Sequence, residues 1–452
     1  MIEPALFWFQ NDLRIEDNPL LNQCLAENQS VIFLYHFQPN IRWCQQAQWG
    51  VQRTRFVVEC LADLNKSLEA RGASLNIIEG NGVDAIHRLL KKTKANRLYK
   101  AHTTGSYARD MLQAIKSKHD ELAILQDHTE ALLEASQLPF EIEDTPQQYT
   151  PFRKRVEKLS PPVLSLDATT NQVHWERCSF PTLDSLRNFA AWQISHPVAV
   201  SLKHIAPHQR FFVRGGETAG AQALKNYLAH PGAVLRYKET RNALDENLAS
   251  TRLSPWLATG CLSARQYYHA VREFEQTYQA NDSTYWLIFE LLWREFFYWR
   301  GIVDGKKLFR LSGIRAKKPL VTFNPQAFTA WCQANTPSSL VNAFIKQLIA
   351  TGWMSNRGRQ IAASYLINEY KMDWRYGAAF FEKHLIDYYC GSNYGNWQYI
   401  AGVGSDPRGG RYFNVQKQAD TYDRDGSFVR AWGAEEGDDG SPAVDAADWP
   451  IH

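Results

Sequence analysis

The sequence predicts an α/β domain on a doubly wound parallel sheet, followed by an all-α domain. Three observations carry this. Up to about residue 130, short apolar runs rich in β-branched and aromatic residues alternate with stretches of helical period. From Ala131 to Pro197 a proline-studded stretch breaks that pattern. Beyond Pro207 the periodicity is helical. The expected division is an α/β domain over 1–130, a connector over 131–197, a helical domain over 198–432, and an acidic tail over 433–452 that is expected to be disordered.

Ala5–Phe9, Val31–Tyr35, Leu75–Ile78, Arg97–Tyr99 and Leu122–Leu125 read as buried strands, with helices over Pro19–Glu27, Val51–Arg71 and Val83–Lys92. No GxGxxG follows the first strand, which argues against a standard dinucleotide site in this half. Inside the connector, TPFRKRVEK at 150–158 reads as a helix with a solvated basic face. GGETAGAQALKNYL at 215–228 and YKETRNALDENLASTRLSPWLATGCLS at 237–263 open the helical half. In the second, Ser250, Thr251 and Ser254 surround Arg252 at an expected helix start, which suits either a phosphate or an ordinary N-cap. Tyr285–Gly301 is an aromatic helix on which Glu290, Trp293, Arg294 and Phe297 share a face.

Residues 351–404 organise the rest. They begin as a helix pattern and are expected to end in a loop rich in Gly, Asn and aromatics. On the helix, Asn356, Arg359, Gln360 and Ala363 fall on one face, and Ile361, Tyr365, Leu366 and Ile367 supply the buried side. A face of amides and a guanidinium is costly to bury unless a polar partner lies against it. Asp387 is placed to balance Arg359.

Aromatics make up 13% of the 452 residues, 15 of them Trp, which suits a cofactor cage or a stacking surface. Seven scattered Cys without a CxxC pair point to no disulfide framework and no zinc or iron–sulfur site, and favour a reducing compartment. No signal peptide is read at the N-terminus, and the most apolar run, Tyr285 to Trp299, is too short and too charged to span a bilayer. The expectation is a cytoplasmic monomer. After Trp432 there are six acids and no Lys or Arg, so the preceding residues carry 50 basic and 41 acidic side chains. That surplus is compatible with a polyanionic partner.

SNRGRQ at 355–360, MDWRYGAAFFE at 372–382, SNYGNWQYIAGVGSDPR at 392–408 and RYFNVQKQADTYDRDGSFV at 411–429 closely resemble the flavin-binding heart of the photolyase and cryptochrome family, above all its cryptochrome DASH branch. FWFQNDLRIEDNPLL at 7–21 resembles the family's opening motif, with Gln10 where Arg is usual. The resemblance implies FAD in the helical domain and light-driven electron transfer from reduced flavin to a cyclobutane pyrimidine dimer in DNA, mainly single-stranded. The runner-up is a blue-light photoreceptor that binds nucleic acid without efficient repair.

By the same resemblance, Tyr237, Ser250, Thr251, Arg252, Leu253 and Ser254 hold the diphosphate. Arg359 and Asp387 sit beside the isoalloxazine, with Asn393 facing its reactive nitrogen, and Glu290, Arg294 and Asn356 join the cofactor set. Glu290, Trp293, Asn356, Gln360 and Tyr399 form the lesion pocket. Two amides at 356 and 360 exclude the six-four photoproduct, whose repair uses His there. Trp397 and Trp374 match the inner members of the family's tryptophan chain, while Val321 stands where the outer one is expected; Trp331 is a candidate replacement. LIDYD of the family becomes LIDYY, placing Tyr389 at a carboxylate's position, and TPSSLVN at 336–342 departs as well. A second chromophore, methenyltetrahydrofolate, is left open, with AHTTGSYARD at 101–110 weighing against it because the expected acidic run is missing.

Overall fold

A computed structural model describes residues 3–158, 166, 175–183, 186–406 and 408–438. Its strands are β1 (Ala5–Phe9), β2 (Val31–His36), β3 (Asn40–Trp43), β4 (Gln46–Gln48), β5 (Leu75–Ile78), β6 (Arg97–Tyr99), β7 (Ala123–Leu125) and β8 (Arg187–Asn188). The main sheet runs β7-β6-β1-β2-β5-β8. Every pair in it is parallel except β5 with β8. From β1 the chain winds out through β2 and β5, then returns to build β6 and β7 on the other side. This is the doubly wound parallel sheet that the strand–helix alternation predicts. The antiparallel β8 and the β3–β4 hairpin are too short to register as sequence patterns.

Both faces of β1 and β2 are buried, as a covered parallel sheet requires. Alternate residues divide between two cores. Leu6, Trp8, Ile32 and Leu34 pack with Ile86, Met111 and Ile115 from helices Gly82–Thr93 and Ser106–Lys116. Phe7, Phe9, Phe33 and Tyr35 face the other way, into a core that continues through Phe56 to Trp256, Leu291, Phe296 and Trp299. The sheet and the helical half therefore share one continuous core.

The opening motif clamps that junction. Arg14 is fully enclosed and donates to the carbonyls of Gly260 (3.0 Å), Asp17 (2.8 Å) and Thr129 (2.9 Å). Asp17 pairs with Arg265 at 3.0 Å, and the Glu217 carboxylate accepts from the amides of Ile15 and Glu16 at 2.9 Å.

The helical half is built around Asp282–Asp304, buried on most sides and started by Asn281, whose side chain accepts from the amides of Ser283 and Thr284. Asn356–Ser364 is helical as expected, with Ser355 capping Gly358 at 3.1 Å, and continues into a π-helical turn over Tyr365–Glu369. The expected loop after residue 390 is instead the helix Cys390–Ala401. Its glycines mark close approach, not turns: a Cβ on Gly391 would meet the Phe297 carbonyl, and one on Gly395 would overlap the Phe297 ring.

The helix Tyr149–Lys158 buries Tyr149, Phe152 and Val156 and leaves Lys154, Arg155 and Lys158 exposed. Asn342, at the last position of the departing TPSSLVN, is fully buried; it donates to the carbonyls of Thr336 (2.7 Å) and Glu435 (2.8 Å). The start of the acidic segment is thus docked on the helical half, and its remainder, 439–452, lies outside the described residues. Among the described residues no helix is long and apolar enough to cross a membrane, and no cluster of His, Cys, Asp and Glu is arranged to hold a metal ion.

Candidate active site

Two cavities, about 500 and 290 Å³, join within the helical half. Arg241, Ser254, Glu290, Arg294, Asn356, Arg359, Asp387, Tyr389 and Ser392 line both. Trp293, Gln360, Asn393, Trp397 and Tyr399 line the larger, and Tyr237, Ser250, Thr251, Arg252 and Leu253 the smaller. Of the site residues singled out from the sequence, Val321 and Trp331 line neither, and nor does Trp374. It is buried, with its indole N–H donating to the Leu311 carbonyl at 3.1 Å and its ring 6.3 Å from Tyr394.

Where the cavities meet, Arg359 reaches Asp387 at 2.7 Å, and the same carboxylate oxygen, Oδ2, accepts the Ser254 hydroxyl at 2.6 Å. Arg359 is also fixed through Nε to the Met354 carbonyl at 2.9 Å. Asn393 donates its amide to the Ala378 carbonyl at 3.0 Å, which leaves the side-chain oxygen to accept. The 250–254 loop leads into a helix of only six residues, Ser254–Thr259, so its contribution is local donors more than a long dipole. Arg252 shapes that loop from a left-handed backbone (φ 50°), donating to the carbonyls of Asp245 and Glu246 and lying 5.0 Å over the Trp353 ring.

The larger cavity has an aromatic and an amide side. Trp293 is stacked on Tyr149, with centroids 3.7 Å apart, and meets Tyr399 edge-on at 6.0 Å. The Tyr399 hydroxyl accepts from Arg411 at 2.6 Å. Glu290 pairs with Arg241 at 2.6 Å; desolvation by the cavity walls raises its carboxyl pKa although 33% of the side chain still meets the open cavity, and Arg241 opposes the rise. Arg241 lies 4.4 Å over Trp286. Sequence reasoning missed Arg241 and Trp286, although both fall inside stretches it singled out; only their partners across the fold reveal their place. Arg357, inside SNRGRQ, was missed too: it donates to Asn242 at 3.2 Å and lies 4.9 Å over Tyr422.

Trp397 stands 6.5 Å from Trp331, ring centroid to centroid and edge-on. Trp331 is fully buried, and Phe328 and Tyr376 continue the ring contacts at 6.4 and 5.3 Å to the part-exposed Tyr376.

Comparison with known proteins places this fold and this cavity. Residues 5–169 match the DNA photolyase family model, and residues 286–438 match the FAD binding domain of DNA photolyase. The cryptochrome DASH proteins of Idiomarina loihiensis and Vibrio parahaemolyticus are each 39% identical over 99% of this chain, which covers 96% and 97% of their lengths. Among solved structures, a Synechocystis cryptochrome superposes with a TM-score of 0.81 at 33% identity (96% of this chain, 89% of that one). A class III photolyase from Agrobacterium tumefaciens follows with 0.75 at 25% identity (96% and 86%). The chain belongs to the photolyase/cryptochrome family and to its cryptochrome DASH branch.

FAD is its cofactor. The donor set fits it: Asp387 Oδ1 is enclosed in the cavity wall without a hydrogen-bond partner among the described residues, beside a fixed guanidinium and a hydroxyl-bearing loop.

Proposed function

We propose that this protein repairs cyclobutane pyrimidine dimers in DNA by light-driven electron transfer, as a deoxyribodipyrimidine photo-lyase that prefers single strands. What supports the reading is one cavity system shared by two sets of side chains. Arg359, Asp387, Ser254 and Asn393 suit a flavin, while Glu290, Trp293, Asn356, Gln360 and Tyr399 suit a splayed base pair.

Reduced FAD supplies the excited electron that opens the dimer's ring and recovers it afterwards. Everything else is positioning. Arg359 offers a charge whose direction is set by Asp387 and Met354, so little reorganisation is needed when negative charge sits beside it. Ser250, Thr251, Arg252 and Ser254, with Tyr237 and Leu253, would hold the diphosphate in the smaller cavity that they line. Glu290 presents an acceptor to a base edge, and Trp293, backed by Tyr149, presents a fixed stacking edge. Asn356 and Gln360 hydrogen-bond but transfer no proton, which restricts the chemistry to cyclobutane dimers.

Flipping a lesion from duplex costs a few kcal/mol, and stacking on an aromatic returns roughly 1–3 kcal/mol per base. Tyr399 gives a smaller face than a Trp, so less of that cost is recovered; a single strand does not incur it. Phosphate contacts strengthen both substrates alike and fade with salt. The test is light-dependent repair of matched single- and double-stranded dimer oligonucleotides at one ionic strength. Repair mainly of the single strand, with duplex repair gained in Tyr399→Trp, is expected. Equal repair of both removes the preference. FAD-loaded protein that repairs neither is instead the blue-light photoreceptor.

A further inference from the structure

One part of the cavity wall has no use in the reading above. Tyr389 lines both cavities, and its enclosed hydroxyl makes no hydrogen bond of good geometry among the described residues, its nearest polar neighbour being the Glu130 carboxyl. Next to it lies Glu130, from the segment after β7 on the other side of the junction, 3% exposed, whose carboxyl likewise has no well-formed hydrogen bond and only the loose approach of the Tyr389 hydroxyl. An unpaired acid is costly to bury in its charged form, and it protonates instead. The Glu130 main-chain carbonyl accepts from Arg294 at 2.6 Å, and that guanidinium lies 5.1 Å over the Tyr389 ring. Asp12, Lys100 and Tyr298 complete the titratable surroundings. Lys100 is itself enclosed, donating to Gln10 and to the Ala101 carbonyl.

Burial pushes the Glu130 carboxyl up to about 7, with Arg294 and then the Tyr389 hydroxyl opposing. Burial also raises the Tyr389 phenol well above its ordinary value, so it stays a neutral hydroxyl able to donate and accept at once. Where LIDYD would put an acid on this wall, LIDYY puts Tyr389, and the sheet side brings an acid to the same place.

We propose that Glu130 is a proton store for the cofactor cavity and that Tyr389 is its relay. The proposal rests on the FAD reading. When illumination with an added thiol as electron donor puts negative charge in the cavity, Tyr389 gives its hydroxyl proton to that charge and takes the Glu130 proton. Two O–H bonds break, one O–H bond and one acceptor–H bond form, and the net result is one proton passed from Glu130 to the acceptor. Glu130 is left as a carboxylate near Arg294 and Lys100 and reloads from solvent.

The test uses Glu130→Gln, Glu130→Asp and Tyr389→Phe in the full chain. Without cofactor, thermal unfolding is followed across pH. Glu130 keeps its proton in the folded state at pH values where the unfolded chain has lost it. Its stabilisation is therefore full below the ordinary glutamate range and is lost as pH rises through about 7. Glu217, also raised to about 7, has the same sign and remains in every variant. The melting temperature of Glu130→Gln should fall less over that window than the wild type's.

With FAD bound, the light-minus-dark infrared spectrum of the wild type should lose a carboxylic-acid band that Glu130→Gln lacks. Proton uptake in the cavity, read from visible absorption, should slow roughly 10²-fold in Glu130→Gln and Tyr389→Phe, with Glu130→Asp partly restoring it. FAD-loaded Glu130→Gln with the wild-type band and rate overturns the proposal and leaves the FAD reading standing. An unchanged pH slope of melting also overturns it. A chain that takes up no FAD sinks both.

Discussion

Two arginine–carboxylate pairs line the same cavity, and they are built for opposite ends. Arg359–Asp387 and Arg241–Glu290 have nearly equal lengths, 2.7 and 2.6 Å. The Asp387 side chain is 2% exposed and takes a second donor from Ser254; the Glu290 side chain is 33% exposed and has Arg241 alone. Breaking a desolvated, multiply bonded pair from one side costs several kcal/mol, whereas a solvent-touched pair contributes about 0–1 kcal/mol. The difference teaches that an ion pair's surroundings set its role. On the proposed reading, the enclosed pair is a fixed post for the cofactor, and the wetter one is a latch that an incoming base can open.

The hardest blow to that contrast is Arg359→Ala, which leaves Asp387 enclosed beside Ser254 alone. About 3 kcal/mol of stability should be lost, near the low end for a broken buried pair because Arg359 itself is part-exposed, and FAD retention should fail with it. Denaturant unfolding and flavin release on gel filtration check this; a variant that keeps its flavin puts the post elsewhere.

Next comes the scaffold that brings both pairs to one cavity. Glu290 rides on Asp282–Asp304, and Asp387 lies just before Cys390–Ala401, which packs against it through Gly395 and Phe297. Gly395→Ala should overpack that contact and cost about 1–3 kcal/mol in denaturant unfolding. A neutral result would mean that the two helices adjust freely, and the pairs' separate characters would then need another cause.

A third variant set asks how electrons reach the post. Photoreduction with a thiol should slow most in Trp397→Phe. It should slow clearly, but less, in Trp331→Phe, because Trp331 touches Trp397 and continues through Phe328 to the part-exposed Tyr376. Wild-type kinetics in Trp331→Phe would remove it from the route and leave Trp374 to carry the electron.

The post was legible in the sequence and half of the latch was not. Asn356, Arg359 and Gln360 lie within one short motif on one helix, so spacing alone puts them together. Asp387 and Asn393 follow within the same run. Arg241 follows a four-residue helix, Tyr237–Thr240, whose sequence, YKET, carries no pattern, and it meets Glu290 only across the fold. Glu130 comes from the other half of the molecule, where nothing local predicts a cavity.

The helix Cys390–Ala401 was read as a loop because Gly and Asn are poor helix formers in isolation. Close packing against Phe297 overrides that propensity and requires the glycines. The parallel sheet was plain because its strands are apolar on both faces, whereas the two-residue β8 is placed by its pairing with β5 alone.

The contrast between post and latch is tested most directly in one preparation of Glu290→Gln, by titrating FAD and then following light-dependent repair of a single-stranded dimer oligonucleotide. The account predicts stability within about 1 kcal/mol of wild type, unchanged FAD affinity and a marked fall in repair. Lost FAD affinity with repair per bound flavin unchanged would contradict it, since Glu290 would then belong to the cofactor and not to the lesion.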